Sequence, residues 1–128
     1  MEGNKIMAVK PIEPGEVVDA KQYSIPDEIF EAFNNLIAKN FHSGSSNFKQ
    51  KEVVEEILCR LRDKDLNLDI LKNINRDDAS LESLIYANYW LDVEDIYRKV
   101  GWIVKYDKPS YNESYDANFT FKKNCKEK

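Results

Sequence analysis

The chain has few of the residues that active sites and metal sites most often use. Its 128 residues include one histidine, two cysteines and four glycines. It contains no HExxH motif, no glycine-rich phosphate loop and no local signature of a nucleophile with its base. The histidine, His42, follows a predicted helix, where a surface or capping role is the usual one. The sequence therefore predicts a protein that is not an enzyme and that carries no cofactor.

Acidic residues are plentiful, and two groups of them offer the oxygen ligands that a hard cation prefers. These groups are Asp77 with Asp78, and Asp92 with Glu94 and Asp95. Each group also stands where a helix is predicted to begin, and carboxylates there stabilise free backbone N–H groups. Because capping accounts for these acids, we expect no metal site.

Long apolar runs are also missing. The N-terminal stretch has no apolar run long enough for a signal peptide, and no later apolar run is long enough to span a bilayer. Cys59 lies in an apolar helical run, where we expect a small buried residue, and Cys125 lies in a charged tail. Two widely separated cysteines without a secretion signal indicate a reducing compartment. We therefore expect a cytoplasmic protein with no membrane partner.

The length fits one domain, which we expect to span residues 1–128 with flexible ends at 1–13 and 123–128. Hydrophobic residues make up 42% of the chain and charged residues 33%, as in ordinary globular proteins. The net charge of −4 means that the overall field of the protein does not attract nucleic acid.

The C-terminal part has the clearest pattern. Asp92 predicts the N-cap of a helix and Gly101 predicts its end. Two runs, 102–106 and 115–122, then alternate with period two, which is typical of an antiparallel hairpin. The polar connection 107–114 between them is too long for a tight turn.

Helices are predicted before this hairpin. Ser24 and Pro26 predict the start of a helix over 25–41, and Phe48 marks either a short strand or the approach to a second helix over 50–62. The other predicted elements are a brief turn over 14–21, a short helix near 67–74, and a helix that Asp78 or Ser80 caps and that runs to about Trp90.

Together these elements predict an α+β fold. Several helices followed by a C-terminal β-hairpin, with a short extended piece after the first main helix, resemble a winged helix with a helical insert at about 63–90. A plainer arrangement, with helices on one face of a small antiparallel sheet, fits equally well. We expect the core to include Phe33, Leu36, Ile57, Leu58, Ile96, Trp102, Val104 and Phe119.

A winged helix that reads DNA presents its third helix to the major groove. Here that helix begins with acids, which DNA phosphates repel. The hairpin and tail offer lysines instead of the arginines that read guanine, namely Lys105, Lys108, Lys122, Lys123, Lys126 and Lys128. Nucleic acid is therefore a disfavoured partner, and a DNA-binding regulator is the alternative function.

The connection between the two hairpin strands has an unusual composition. Residues 106–115 combine three tyrosines with asparagine, serine and lysine, a mixture that is typical of binding surfaces. Tyrosine rings also stack on nucleotide bases. The alternative is that Tyr106 and Tyr115 only pack against the hairpin. We predict a binding site that consists of Lys105, Tyr106, Lys108, Tyr111, Asn112 and Tyr115.

Four segments resemble a family of small proteins encoded by tailed phages and prophages. They are IPDEIFEAFNNLI, KQKEVVEEIL, WLDVEDIYRKVGW and YDKPSYNESYDANFTF. The resemblance covers residues 10–122 and carries no catalytic or ligand residue with it. It implies a cytoplasmic accessory protein that a phage encodes in a bacterial host cell. Small proteins of that kind often bind a host enzyme or a nucleotide signal of anti-phage defence.

The function expected from these observations is binding without catalysis. The partner would be a host protein or a nucleotide ligand, and the protein would act as a host-directed or counter-defence inhibitor. A sheet of two strands is marginally stable and leaves edges open to another chain. We therefore also expect a homodimer in which a second copy covers one edge.

Overall fold

The computed structural model describes residues 11–63, 66, 68–72 and 74–124. Most of the ends that were predicted to be flexible, and Cys125, lie outside these residues. The described elements follow one another as α1 (Pro14–Ser24), α2 (Asp27–Asn40), β1 (Phe41–His42), β2 (Ser45–Lys49), α3 (Gln50–Leu61), a 3-10 helix (Asp69–Leu71), α4 (Asp78–Ala87), α5 (Glu94–Lys99), β3 (Trp102–Asp107) and β4 (Asn118–Lys123). The predicted α+β class and C-terminal hairpin are confirmed.

The four described strands form one antiparallel sheet in the order β1–β2–β4–β3. Strand β4 lies between β2 and β3, with Phe119 opposite Phe48 on one side and Phe121 opposite Val104 on the other. The segment around Phe48 is therefore both a strand and the approach to α3. The sheet is larger than the two-stranded hairpin that the C-terminal pattern alone predicted.

The short connection between β1 and β2 explains how the chain reverses after α2. Ser43 and Gly44 both have a positive φ, of 52° and 86°. A two-residue hairpin connection with positive φ at both positions matches the right-handed twist of the flanking strands. The turn brings β2 back beside α2, and Gly44 accepts a backbone hydrogen bond of 2.8 Å from Lys123 in β4.

The helices cover one face of the sheet, and an aromatic cluster fills the space between them. The Phe33 ring of α2 meets Phe119 edge-on at 5.2 Å, and Phe48 stacks on Phe121 at 5.6 Å. Seven of the eight predicted core residues are buried: Phe33, Leu36, Ile57, Leu58, Ile96, Val104 and Phe119. The eighth, Trp102, is half-buried and packs against this core.

The first two helices differ from the prediction at their ends. Ser24 does not cap α2 but ends α1, where its hydroxyl donates to the Lys21 carbonyl at 2.7 Å. Pro26 is the N-cap of α2, without a side-chain cap. Helix α1 has 11 residues instead of a brief turn. At its start the backbone N–H of Glu13 donates to Glu16 Oε1 at 2.9 Å, and the backbone N–H of Glu16 donates to the Glu13 carbonyl at 2.9 Å.

The segment 63–90 also differs in detail. Its predicted first helix is a 3-10 helix of three residues, and the second ends at Ala87. Asp77, one residue before the predicted cap, accepts the backbone N–H of Ser80 at 2.9 Å and caps α4. Val93, not Asp92, is the N-cap of α5, and the Asp92 carboxylate lies 2.9 Å from Lys21 of α1 instead of capping the helix.

Two further predictions require correction. Cys59 is exposed, because it lies on the outer side of α3 next to the buried stripe of Ile57, Leu58 and Leu61. Strand β4 begins at Asn118, so that Tyr115 lies in the connecting loop. Gly101 does follow α5 with a φ of 113°, as a terminating glycine should. Among the described residues, no helix is both long and apolar enough to cross a bilayer.

Candidate functional site

A cavity of about 230 Å³ opens beside the end of β3, and we call it the tyrosine pocket. Its walls come from the start of α3, the end of α4, the α4–α5 connection, the start of α5 and the two long strands. The residues that line it are Gln50, Ile85, Tyr86, Tyr89, Leu91, Asp92, Glu94, Tyr106 and Phe119.

A chain of hydrogen bonds fixes two of the tyrosine rings. The Tyr106 hydroxyl donates to Gln50 Oε1 at 2.5 Å, and Gln50 Nε2 donates to the Tyr86 hydroxyl at 3.2 Å. Burial raises the pKa of Tyr106, and the nearby charges of Tyr86 and Glu94 raise it further. The Tyr106 ring also packs on Phe119 at 4.9 Å, so the pocket wall is continuous with the core.

The Glu94 side chain places a carboxylate in the wall of the tyrosine pocket. Its Oε1 is buried and has no hydrogen-bond partner among the described residues. The pKa of Glu94 is raised, and burial is the largest cause of this rise. The adjacent negative charge of Asp92 adds to this rise, whereas the backbone N–H of Glu94 and the charge of Arg98 oppose it. A hydrogen-bond donor or a cation beside Glu94 would therefore stabilise its ionised form.

Tyr89 occupies an unusual backbone position at the pocket. It follows α4 with a φ of 54°, while Tyr89 N donates to the Tyr86 carbonyl at 3.2 Å and Trp90 N donates to the Ile85 carbonyl at 3.1 Å. These two bonds define a Schellman motif, whose left-handed position is usually a glycine. The Tyr89 side chain is 76% exposed, so packing does not account for a tyrosine at this position.

The predicted site residues do not converge on one surface. Lys105 lies on the exposed face of the sheet, whereas Tyr106, one residue on, is half-buried in the pocket wall. The Tyr115 hydroxyl lies 2.9 Å from both Asp107 Oδ1 and the Lys108 carbonyl oxygen. The hydrogen bond to Asp107 raises the pKa of Tyr115 to about 12. Tyr115 therefore braces the loop.

The β3–β4 loop, residues 108–117, has further internal supports. Ser110 N donates to Glu113 Oε1 at 2.9 Å, and Glu113 N donates to the Ser110 carbonyl at 3.0 Å. The hydrogen bond from Ser110 lowers the pKa of Glu113. Between these two residues, Tyr111 is completely exposed and Asn112 is exposed beside it.

The far end of the loop is tied to α3 and its approach. Asp116 lies 3.3 Å from Lys49 and 3.2 Å from Lys51, and hydrogen bonds from these lysines lower its pKa. Gln50 N also donates to the Ala117 carbonyl at 2.8 Å. Both ends of the loop are therefore held by contacts with the rest of the protein, although most of its residues are exposed.

The exposed side of α5 is occupied by other parts of the chain. Lys99 pairs with Asp19 of α1, and Asp92 pairs with Lys21 of α1 at 2.9 Å. Arg98 pairs with Asp95 at 3.0 Å and donates to the Val104 carbonyl at 2.9 Å. The basic side chains of this helix are thus engaged within the molecule.

The remaining candidate residues have ordinary positions. His42 is exposed in β1. The Asp77 carboxylate caps α4, and its hydrogen bonds to Ser80 lower its pKa. Within the described parts of the chain, no group of three or more His, Cys, Asp or Glu side chains could hold a metal ion.

Most of the tyrosine pocket was not predicted from the sequence. Only Tyr106 was predicted as a site residue, whereas Gln50, Tyr86, Tyr89 and Glu94 were read as parts of helices. Tyr86 and Tyr89 stand three residues apart at the end of a helix, with two acids shortly after. That spacing was a usable signal, but Gln50 and Tyr106 join the group only through the fold.

Comparison of the chain with protein-family models, with curated proteins and with solved structures found no significant match.

Proposed function

We propose that this chain is a non-catalytic, phage-encoded protein that binds a host protein in the bacterial cytoplasm and thereby inhibits a host or defence activity. The phage context comes from the sequence resemblance. The observation that carries the binding function is the β3–β4 loop, which is braced at both ends and presents Tyr111 fully to solvent. A large aromatic side chain held out in this way has no role in the stability of its own fold.

An ordered loop suits a contact surface because binding then costs less conformational entropy. Tyr115 and Glu113 hold the loop by hydrogen bonds to neighbouring residues. Tyrosine supplies contact area at little entropic cost, and Asn112 beside it supplies adaptable hydrogen bonds. Tyr111 and Asn112 are thus the centre of the proposed surface, while Tyr115 supports it from below.

A protein partner fits the loop tip better than a nucleotide fits the tyrosine pocket. The tyrosine pocket holds about 230 Å³, which is below the range of cavities that take drug-sized ligands. It also contains Asp92 and Glu94, whose charges would repel phosphate groups. The loop tip, in contrast, is a projecting surface of the kind that protein partners contact.

The test compares the wild type with the double variant Tyr111→Ala, Asn112→Ala. Both proteins capture partners from a lysate of bacterial cells, and calorimetry on the purified partner then measures the affinity. We expect the variant to bind at least about 1–2 kcal/mol more weakly, the scale of an interface anchor. Its free energy of unfolding should change by no more than about 0.5 kcal/mol, as for other exposed substitutions.

Ser114→Ala is the matched control, because Ser114 is an exposed residue of the same loop. It should leave the affinity unchanged. Equal affinities for the wild type and the double variant would show that the loop is a connector. A parallel thermal-shift screen with nucleotides should give no stabilisation, and a clear shift would favour the nucleotide ligand.

A DNA-binding regulator is the second candidate, favoured by the strand order β2–β4–β3. We propose that the fold is a winged-helix variant with α2, α3 and α5 as its three helices and the β3–β4 loop as the wing. The 3-10 helix and α4 form the insert. Helix α1 lies against α5, however, and pairs with Lys99, so this helix is a poor fit to the major groove. No shift of a random duplex in a low-salt gel would remove this candidate.

A further inference from the structure

The tyrosine pocket has a composition that selects the charge of its occupant. Three of its nine lining residues are tyrosines and two are carboxylates, of which Asp92 is already paired with Lys21. None of the nine, all of which are described, is a lysine or an arginine. Aromatic faces attract cations through the negative charge density of the ring. Carboxylates beside aromatic faces add a direct partner for the same cation.

We propose that the tyrosine pocket binds the guanidinium group of an arginine side chain from the partner protein. This inference rests on the proposed function, since it names the chemistry of the partner. The planar guanidinium stacks on aromatic rings and donates two parallel hydrogen bonds to a carboxylate. Tyr86, Tyr89 and Tyr106 supply the rings, and Glu94 supplies the carboxylate.

The buried oxygen of Glu94 is the first observation behind the proposal. A buried acceptor without a partner destabilises the fold that contains it, and Oε1 of Glu94 has none among the described residues. Arg98, the charged neighbour within the chain, is already engaged with Asp95 and the Val104 carbonyl. An incoming guanidinium would place a compensating positive charge beside this carboxylate.

The backbone of Tyr89 is the second observation. A non-glycine residue with positive φ is strained, and such strain concentrates at functional sites. Glycine would complete the Schellman motif after α4 without strain. A tyrosine at this position keeps an exposed ring at the pocket, where a ligand would cover it.

The size of the tyrosine pocket is the third observation behind the proposal. At about 230 Å³ it is smaller than the usual cavity for a drug-sized ligand, but a single side chain is a smaller object. The apolar stem of arginine suits the apolar part of the wall, which includes Ile85, Leu91 and Phe119. A side chain that enters from a partner therefore fits both the apolar and the acidic parts.

The experiment titrates the full chain with butylguanidinium and, separately, with neutral butylurea of similar shape. Chemical shifts of the backbone amides and tyrosine rings report binding. We expect butylguanidinium to saturate the pocket with a dissociation constant of about 1–10 mM, the range that a fragment of this size reaches. The shifts should lie at Gln50, Tyr89 and Glu94. Equal binding of butylurea would overturn the proposal.

Two variants and one control identify the residues responsible. Glu94→Gln should weaken butylguanidinium binding at least ten-fold, and Tyr89→Gly should weaken it several-fold. Both changes relieve an unfavourable feature of the free protein, so both variants should fold. Glu82→Gln is the control, because it removes one exposed negative charge from α4 outside the pocket. It should bind as the wild type does, and an unchanged affinity in Glu94→Gln would contradict the assignment.

A blocked tripeptide with arginine between two glycines distinguishes a partner side chain from a free small molecule. It should bind at least as tightly as butylguanidinium, whereas rejection of the peptide would overturn the assignment to a protein partner. These titrations do not involve Tyr111 or Asn112. A pocket that fails to bind guanidinium, while the loop variant still loses its partner, would contradict this inference alone.

Discussion

Glu94 shows how one residue departs from what local sequence favours. Its position at the start of α5 matches the preference for acids in a first helical turn. The fold then places its side chain half inside the tyrosine pocket next to Asp92, where burial raises the pKa of its carboxyl group. Because its backbone N–H and Arg98 compensate ionised Glu94 only in part, we infer that this residue reduces the stability of the free protein.

Glu94→Gln should therefore stabilise the fold at neutral pH, by about 1 kcal/mol, since the group is only half-buried. The folded pKa lies above the unfolded value, which is about 4.3 for glutamate. Below that value the residue is protonated in both states and the variant gains nothing. As the pH rises through the folded pKa the gain should grow to a plateau.

Denaturant unfolding of both proteins between pH 3.5 and 8 measures this difference. The charges of Asp92 and Arg98 act on Glu94 in opposite directions, and Glu94→Gln removes both interactions. A difference that is constant with pH, or a variant that is less stable at neutral pH, would mean that Glu94 is already compensated.

Single residues could be predicted from the sequence where periodicity alone decides their surroundings. Phe33, Ile57 and Val104 lie on regular apolar stripes and are buried. Cys59 was misplaced because an apolar run of helix still has an outer side. Gln50 and Tyr106 are 56 residues apart along the chain, and only the fold brings them together. No local sequence pattern could therefore predict their hydrogen bond.

At the scale of elements, α1 is the part of the fold with the weakest attachment. None of its residues, all of which are described, is buried. It is held against α5 and the connection before it by two ion pairs, Lys21 with Asp92 and Asp19 with Lys99, and by the partly buried Val18. Exposed ion pairs contribute about 0–1 kcal/mol each, and a helix of this length is marginal by itself.

Helix α1 should therefore open separately from the rest of the protein, and salt should promote the opening. Hydrogen exchange at residues 14–24 should be much faster than in α3 at low salt. Raising NaCl from about 20 mM to 500 mM screens the ion pairs and should speed this exchange about five-fold, which corresponds to about 1 kcal/mol. Helix α3 in the same sample is the internal control, and equal protection of the two helices would contradict the prediction.

Element boundaries could be predicted best where the chain has strong apolar periodicity. The helix predicted over 50–62 ends one residue earlier, and the one predicted over 25–41 begins two residues later. Helix caps were harder to predict, because Ser24 and Asp92 each contact Lys21 of α1 instead of capping the predicted helix. Which residue caps a helix depends on competing local hydrogen bonds, and tertiary contacts can change the outcome.

At the scale of the whole molecule, the sheet determines which surfaces are open to a partner. The C-terminal pattern predicted its hairpin, and the β2 strand could be suspected from Phe48. The pairing of β2 with β4 joins residues 69 to 77 positions apart, so no local pattern revealed it. With four strands the sheet no longer needs a second copy for its stability, and association becomes a question of its exposed edge.

The homodimer remains a prediction, and the structure indicates where it would form. Strand β3 is the long edge of the described sheet, and an open edge can pair with another chain. Arg98 covers part of it by donating to the Val104 carbonyl at 2.9 Å. Arg98→Ala should therefore raise the dimeric fraction in light scattering, whereas Arg60→Ala, which removes a cation of α3 away from this edge, should not. A monomer mass for the wild type and for Arg98→Ala at high concentration would rule out a dimer through β3.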